Sequence, residues 1–231
     1  MKKLFTSTIF IISIILLAAP ASASLIWGTD ASGELTGSRD SIITPSGGIT
    51  AQDGWIDGAF ELSWVITPVN SHWEYVYTVL TAQKEISHFI LEVTEDGNPF
   101  NTFGETDTFS GPETWSGGPG NPDMPNPIYG IKFDFTEPLS LNQTFTIISD
   151  RAPVYGVSYA KDGREGGATG EWAVAWSNAL NYAAYREDIG LTINDYIVRP
   201  DSGGVVPLPG AVWLLGSGLI GLAGIRKKFK S

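Results

Sequence analysis

Residues 24–200 predict an all-β fold, an antiparallel β-sandwich of jelly-roll-like or Ig-like kind. Three observations carry this. Apolar and polar residues alternate with a period of two over short runs. Clusters of Gly, Pro, Asn and Asp separate the runs. No segment of the body holds a convincing helical period; Ser177 to Glu187 comes nearest, and it is short. About seven to ten strands at this spacing suit a sandwich, with a barrel as the alternative.

The runs follow in order. Phe60, Leu62, Trp64 and Ile66 alternate with Glu61, Ser63, Val65 and Thr67. Trp73, Tyr75, Tyr77 and Val79 share one face of the next run, where aromatics suit cross-strand pairing. Phe89, Leu91 and Val93 come next, and Asp96-Gly97-Asn98-Pro99 turns the chain. Tyr129, Ile131, Phe133 and Phe135 point one way, Lys132 and Asp134 the other. Phe145 and Ile147, then Tyr155, Val157 and Tyr159, continue the pattern up to the Asp162-Gly163 turn signal. Trp172, Val174 and Trp176 complete it. Between these runs, Gly104 to Pro127 holds too many prolines for a packed strand and predicts a long loop.

The formal net charge of the chain is −11. Lys2, Lys3, Arg226, Lys227, Lys228 and Lys230 all lie in the end segments, while every acid lies between them. The body from Ser24 to Val206 therefore carries a formal −17. Such a surface repels nucleic acid, which is excluded as a partner, and favours cations. The chain has no cysteine, which removes disulfides, thiolate metal sites and cysteine nucleophiles.

Both ends read as targeting segments. Lys2 and Lys3 precede the apolar run Leu4 to Leu17, and Ala21-Ser22-Ala23 is a small-residue cleavage site. Residues 1–23 thus predict a signal peptide, handled by the Sec translocon and signal peptidase and cut between Ala23 and Ser24. At the other end, residues 201–206 are a polar, glycine-containing linker. Val206-Pro207-Leu208-Pro209 follows, extended because neither proline continues a helix. Ala211 to Ile225, with Trp213 near its start, is uncharged and apolar, and Arg226, Lys227, Lys228 and Lys230 close the chain. As a helix that run rises about 22 Å, and snorkelling basic side chains extend its reach toward a bilayer's thickness. The basic cluster predicts a cytoplasmic C-terminus.

The text VPLPGAVWLLGSGLIGLAGIRKKFKS resembles the PEP-CTERM sorting domain of Gram-negative bacteria, over Val206 to Ser231. That family's usual motif is Val-Pro-Glu-Pro, and Leu208 stands here where the glutamate would be. The resemblance implies that residues 207–231 are a sorting signal, processed by an exosortase near Val206-Pro207-Leu208-Pro209. It also implies an inner-membrane intermediate, release to the cell surface or medium, and association with exopolysaccharide or biofilm matrix. A retained single-pass anchor is the alternative for the tail. A looser resemblance to a group of such proteins covers Gly130 to Phe133, Ser149 to Gly156 and Tyr159 to Gly163, and implies no chemistry.

Motifs for catalysis are scarce, and the expectation is a non-enzymatic protein without a cofactor. There is no Gly-x-Ser-x-Gly elbow in the body and no nucleotide-binding loop. His72 and His88 are the only histidines; His88 and Glu92 on a strand lie about 13 Å apart, too far for one metal. Glu92, Glu95, Asp96 and Glu171 are the acids from which a glycosidase pair would be drawn. Asp53, Asp57, Asp162 and Glu165 lie in glycine-rich turns and are calcium candidates. Trp27, Trp55, Trp73 and Trp115 lie in or near turns; they are either core and loop packing or the stacking platform of a carbohydrate-binding module.

Overall fold

A computed structural model describes residues 25–44, 46–136, 140–163 and 172–201. The expected signal peptide, the linker after Asp201 and the tail lie outside the described residues; no described helix is long and apolar enough to cross a membrane.

The alternation at Phe60–Val69 and His72–Thr81 builds a ten-residue hairpin. Asn70 turns it with φ 56°, a conformation that Asn tolerates better than most residues. In chain order the strands are β1 (Thr36–Asp40), β2 (Ile49–Gln52), β3 (Phe60–Val69), β4 (His72–Thr81), β5 (Ile86–Glu92), β6 (Ser110–Trp115) and β7 (Ile128–Asp134). Then follow β8 (Asn142–Ser149), β9 (Pro153–Gly156), β10 (Ser158–Asp162), β11 (Val174–Ser177) and β12 (Ile197–Pro200). One sheet has the order β1-β3-β4-β8, and a second has β2-β11-β10-β5-β7-β6. All the pairings between these strands are antiparallel.

The two larger sheets meet through aromatic side chains. Phe145 of β8 packs against Phe133 of β7 and Phe89 of β5, with ring centroids 4.4 and 5.1 Å apart. Phe60, Leu62, Trp64 and Ile66 are buried, as are Trp73, Tyr75, Tyr77 and Val79, so the two predicted faces are the inner faces. Tyr75 and Tyr77 bury their rings because their hydroxyls reach the carbonyls of Arg151 and Val198.

The period-two pattern fails in β5 and in β9–β12, which are buried on both faces. The outer face of the six-stranded sheet is covered by chain around β10. The Tyr159 hydroxyl donates to the Pro122 carbonyl, and Asn126 Nδ2 to the Leu180 carbonyl. A strand covered on both sides has no polar face to alternate. Ser177 to Glu187, the best helix candidate, is a 3-10 turn at Asn178–Asn181 followed by turns.

The expected long loop from Gly104 to Pro127 needs correction, because it contains β6. Pro112 is tolerated there because β6 is the sheet's edge strand and its register shifts between Ser110 and Glu113. Residues just before it cover the edge of β8: the Phe103 and Asp107 amides donate to the Ile148 and Thr146 carbonyls.

Both ends of the body close on β9. The Gly28 and Ala31 amides donate to the Tyr155 and Pro153 carbonyls on one side, and β12 pairs along the other. Arg151 fastens the same end: Nη1 donates to the Asp201 carbonyl and Nη2 to those of Asn98 and Pro99.

Phe145 lies where both sheets meet, so Phe145→Ala should lower stability by about 3–5 kcal/mol. Leu80→Ala, at a side chain 48% exposed, should change it by less than about 0.5 kcal/mol. Urea unfolding midpoints at constant slope check both values.

Candidate functional site

β10 begins where β9 leaves off, and Val157 lies between the two strands. The break leaves the Val157 amide to be satisfied by a side chain: it donates to Glu92 Oε2 at 3.0 Å, while the Glu92 amide donates to the Val157 carbonyl. This turns Glu92 inward, where it is fully buried.

A carboxylate removed from water needs cations and hydrogen bonds. Arg186 supplies Nη2 at 2.8 Å and Nε at 3.2 Å to Oε1. The Tyr185 hydroxyl donates to Oε1 at 3.0 Å, and Trp27 Nε1 lies 3.0 and 3.1 Å from the two oxygens. Arg199 Nε lies 3.3 Å from Oε2, an ion pair without hydrogen-bond alignment. Arg199 is itself fully buried and donates from Nη1 to Thr94 Oγ1 and the Pro200 carbonyl. Burial, then the charge of Glu92, pushes the Tyr185 pKa up, so this hydroxyl stays a donor. A Cβ on Gly156 would lie 2.0 Å from Arg199 Nε and 2.7 Å from Glu92 Oε2, which is why the residue there has no side chain.

β5, the β9–β10 break and β12 all meet at this cluster, but it offers little to a substrate. Arg186, with its side chain 41% exposed, is the outer wall, and Trp27 is half-buried beneath it with the Arg186 Cζ 5.4 Å from its ring centroid. Both Glu92 oxygens are committed to protein donors. Of the other acids from which a glycosidase pair would be drawn, Glu95 is exposed and Asp96 accepts from Arg151 Nη2 at 3.4 Å, while Glu171 lies outside the described residues.

His72 and His88 sit in different sheets, and His72 packs against Phe103. His88 is buried on the outer face of its sheet, where it pairs in register with Lys161 and Asp134. Burial, reinforced by the Lys132 and Lys161 cations and opposed by Asp134 and Asn121, pushes its pKa down to about 3. Its Nε2 makes no hydrogen bond among the described residues.

The calcium candidates are not brought together. Asp53 and Asp57 are exposed in turns with φ 52° and 55°. Asp162 is buried with Lys84 Nζ 3.6 Å away, and Glu165 lies outside the described residues. Among the described residues no three His, Cys, Asp or Glu side chains converge as a metal site. The tryptophan expectation divides. Trp55 and Trp73 are core residues, so neither can stack on a ligand. Trp115 is half-buried, its Nε1 donating to the Gly130 carbonyl and its ring centroid 5.5 Å from Lys132 Nζ. Ala21, Ala23, Ser24, Val206, Pro207, Leu208, Pro209, Trp213 and the basic tail lie outside the described residues.

A cleft of about 540 Å³ lies where the start of β6, the end of β7 and the start of β8 meet. Half-buried Phe109 and Phe135 reach it from the aromatic core: Phe109 packs edge-on against Phe133 at 5.8 Å, and Phe135 lies 5.9 Å from Phe145. Asp107, Asp134, Lys132 and Gln143 line it too. Sequence reading missed this aromatic pair because Phe109 falls in the expected loop and Phe135 reads as one more core residue. Comparison with protein-family models, curated proteins and solved structures returns no match.

Glu92→Gln would replace an acceptor by an amide beside two guanidinium groups. It should cost about 3–5 kcal/mol in urea unfolding, and an unchanged midpoint would show that the cluster does not hold the fold. A buried histidine whose folded pKa lies near 3 binds its proton more readily when unfolded. Its contribution therefore falls as pH drops from about 6.5 toward 3, by on the order of 5 kcal/mol in all. Stability–pH profiles of wild type and His88→Leu should diverge in that window, with the variant the flatter.

Proposed function

We propose that this chain is an exported, non-enzymatic protein of the cell surface or extracellular matrix, sorted and trimmed by an exosortase. The observation that carries the reading is a pair of targeting texts bracketing one β body. Ala21-Ser22-Ala23 precedes the body, Val206-Pro207-Leu208-Pro209 with its apolar run and basic end follows it, and the packed strands run between them from Thr36 to Pro200. A jelly-roll-like sandwich is the finer fold reading. It draws support from nested pairing: β4 pairs β8 in one sheet and β5 pairs β7 in the other, as in a hairpin folded across two layers.

The non-enzymatic part of the reading rests on Glu92. The Glu92 carboxylate is saturated by protein donors, so it has no oxygen with which to protonate or attack a substrate. A carbohydrate-binding module is the second reading, favoured by the aromatic-walled cleft between the sheets.

The intact mass of the protein recovered from the native host's envelope and medium tests the proposal. The expected product begins at Ser24 and ends near Pro207. A product that still carries Arg226 to Ser231 would overturn the trimming and make the tail a lasting anchor.

A further inference from the structure

The cleft at the β6–β7–β8 corner has the composition of a sugar site rather than of a lipid or peptide groove. Its floor is aromatic, formed by Phe133 and Phe145, with the half-buried rings of Phe109 and Phe135 at its sides. Its rim is built from short polar groups: Asp107, Thr108, Ser110, Asp134, Thr136, Gln143 and Thr144. A sugar ring presents a weakly polar C–H face to an aromatic side chain and hydroxyls at its edge, and carboxylates and amides are the groups that bind such hydroxyls. The volume suits one or two such rings, and the cleft is open to solvent, so a longer chain can continue out of it.

Charge decides between kinds of glycan. Asp107 and Asp134 are exposed, and Lys132, the one cation in the lining, is held by Asp134 at 2.8 Å. The cleft is thus net negative within a body of formal charge −17, and a uronic acid or sulfated chain would be repelled.

The rim is also held in place before any ligand arrives. Asp107 Oδ2 accepts from the Thr146 amide at 2.7 Å, and Thr144 Oγ1 bonds Thr78 Oγ1 at 3.0 Å. A rim whose Asp107 and Thr144 side chains are already held by hydrogen bonds loses little freedom on binding, which favours affinity.

We infer that this cleft is a binding subsite for an uncharged polysaccharide, with Phe109 and Phe135 stacking on the sugar and Asp107, Asp134 and Gln143 taking its hydroxyls. The inference rests on the extracellular placement proposed above.

Affinity electrophoresis of the protein recovered from its host tests it, in gels containing dextran, mannan, xylan, mixed-linkage β-glucan, alginate or chitosan. At least one of the four neutral polymers should retard the wild type, and alginate should not, with or without calcium. Phe109→Ala and Gln143→Ala should each weaken retardation about tenfold. Gln143→Ala, at the half-buried start of β8, keeps the test open if the aromatic variant does not fold, and melting temperatures identify that case. Retardation by no neutral polymer, by chitosan or calcium-alginate alone, or unchanged in Gln143→Ala, overturns the inference. A protein trimmed at both ends that binds no neutral glycan rejects the cleft and leaves the sorting proposal standing. A glycan-binding protein that keeps its basic tail does the reverse.

Discussion

The Glu92 carboxylate is the constraint around which the described fold is arranged. It stands at the end of β5, where the next strand over breaks between β9 and β10, and it takes the amide that the break leaves without a ladder partner. A buried charge is costly unless it is paired and fully hydrogen-bonded. Meeting that demand draws in Trp27 from the start of the body, Tyr185 and Arg186 from the loop after β11, and Arg199 from its last strand. One side chain therefore holds together segments from near both ends of the body, in a protein without a disulfide.

The same demand separates structure from function. Glu92 looks reactive in isolation, with arginine, tyrosine and tryptophan around it, but both of its oxygens are taken by those neighbours. The open cleft is made instead from residues with unremarkable chemistry. Phe109, Phe133, Phe145 and Phe135 form a run of rings from the edge of one sheet through the core and back to the surface. The contact that holds the sheets together thus also supplies the apolar wall of the cleft.

Where one face of a strand meets the core and the other meets water, the sequence is easily read. The hairpin β3–β4 and the buried faces of β7 and β8 follow from alternation alone. Legibility ends where a strand is covered twice. In β5 and β9–β12 the alternation carries no information about facing, since both faces are packed, and the polar residues there are accounted for only by their partners. His88, Lys161, Asp162 and Arg199 are each buried. β6 was hidden for a different reason: its proline is acceptable only at a sheet edge, and edge position depends on the order of strands.

By itself the sequence determined the charge of the body and its all-β character, because each depends on composition or on residues close together along the chain. Only the tertiary structure decided that Glu92 is sealed and that Trp55 and Trp73 are core. It also showed that the calcium candidates stand apart and that Phe109 and Phe135 flank a cleft. Those outcomes depend on contacts between residues far apart in the sequence, such as Glu92 with Arg199 and Phe109 with Phe133. The order of strands sets those distances, and no local pattern encodes it.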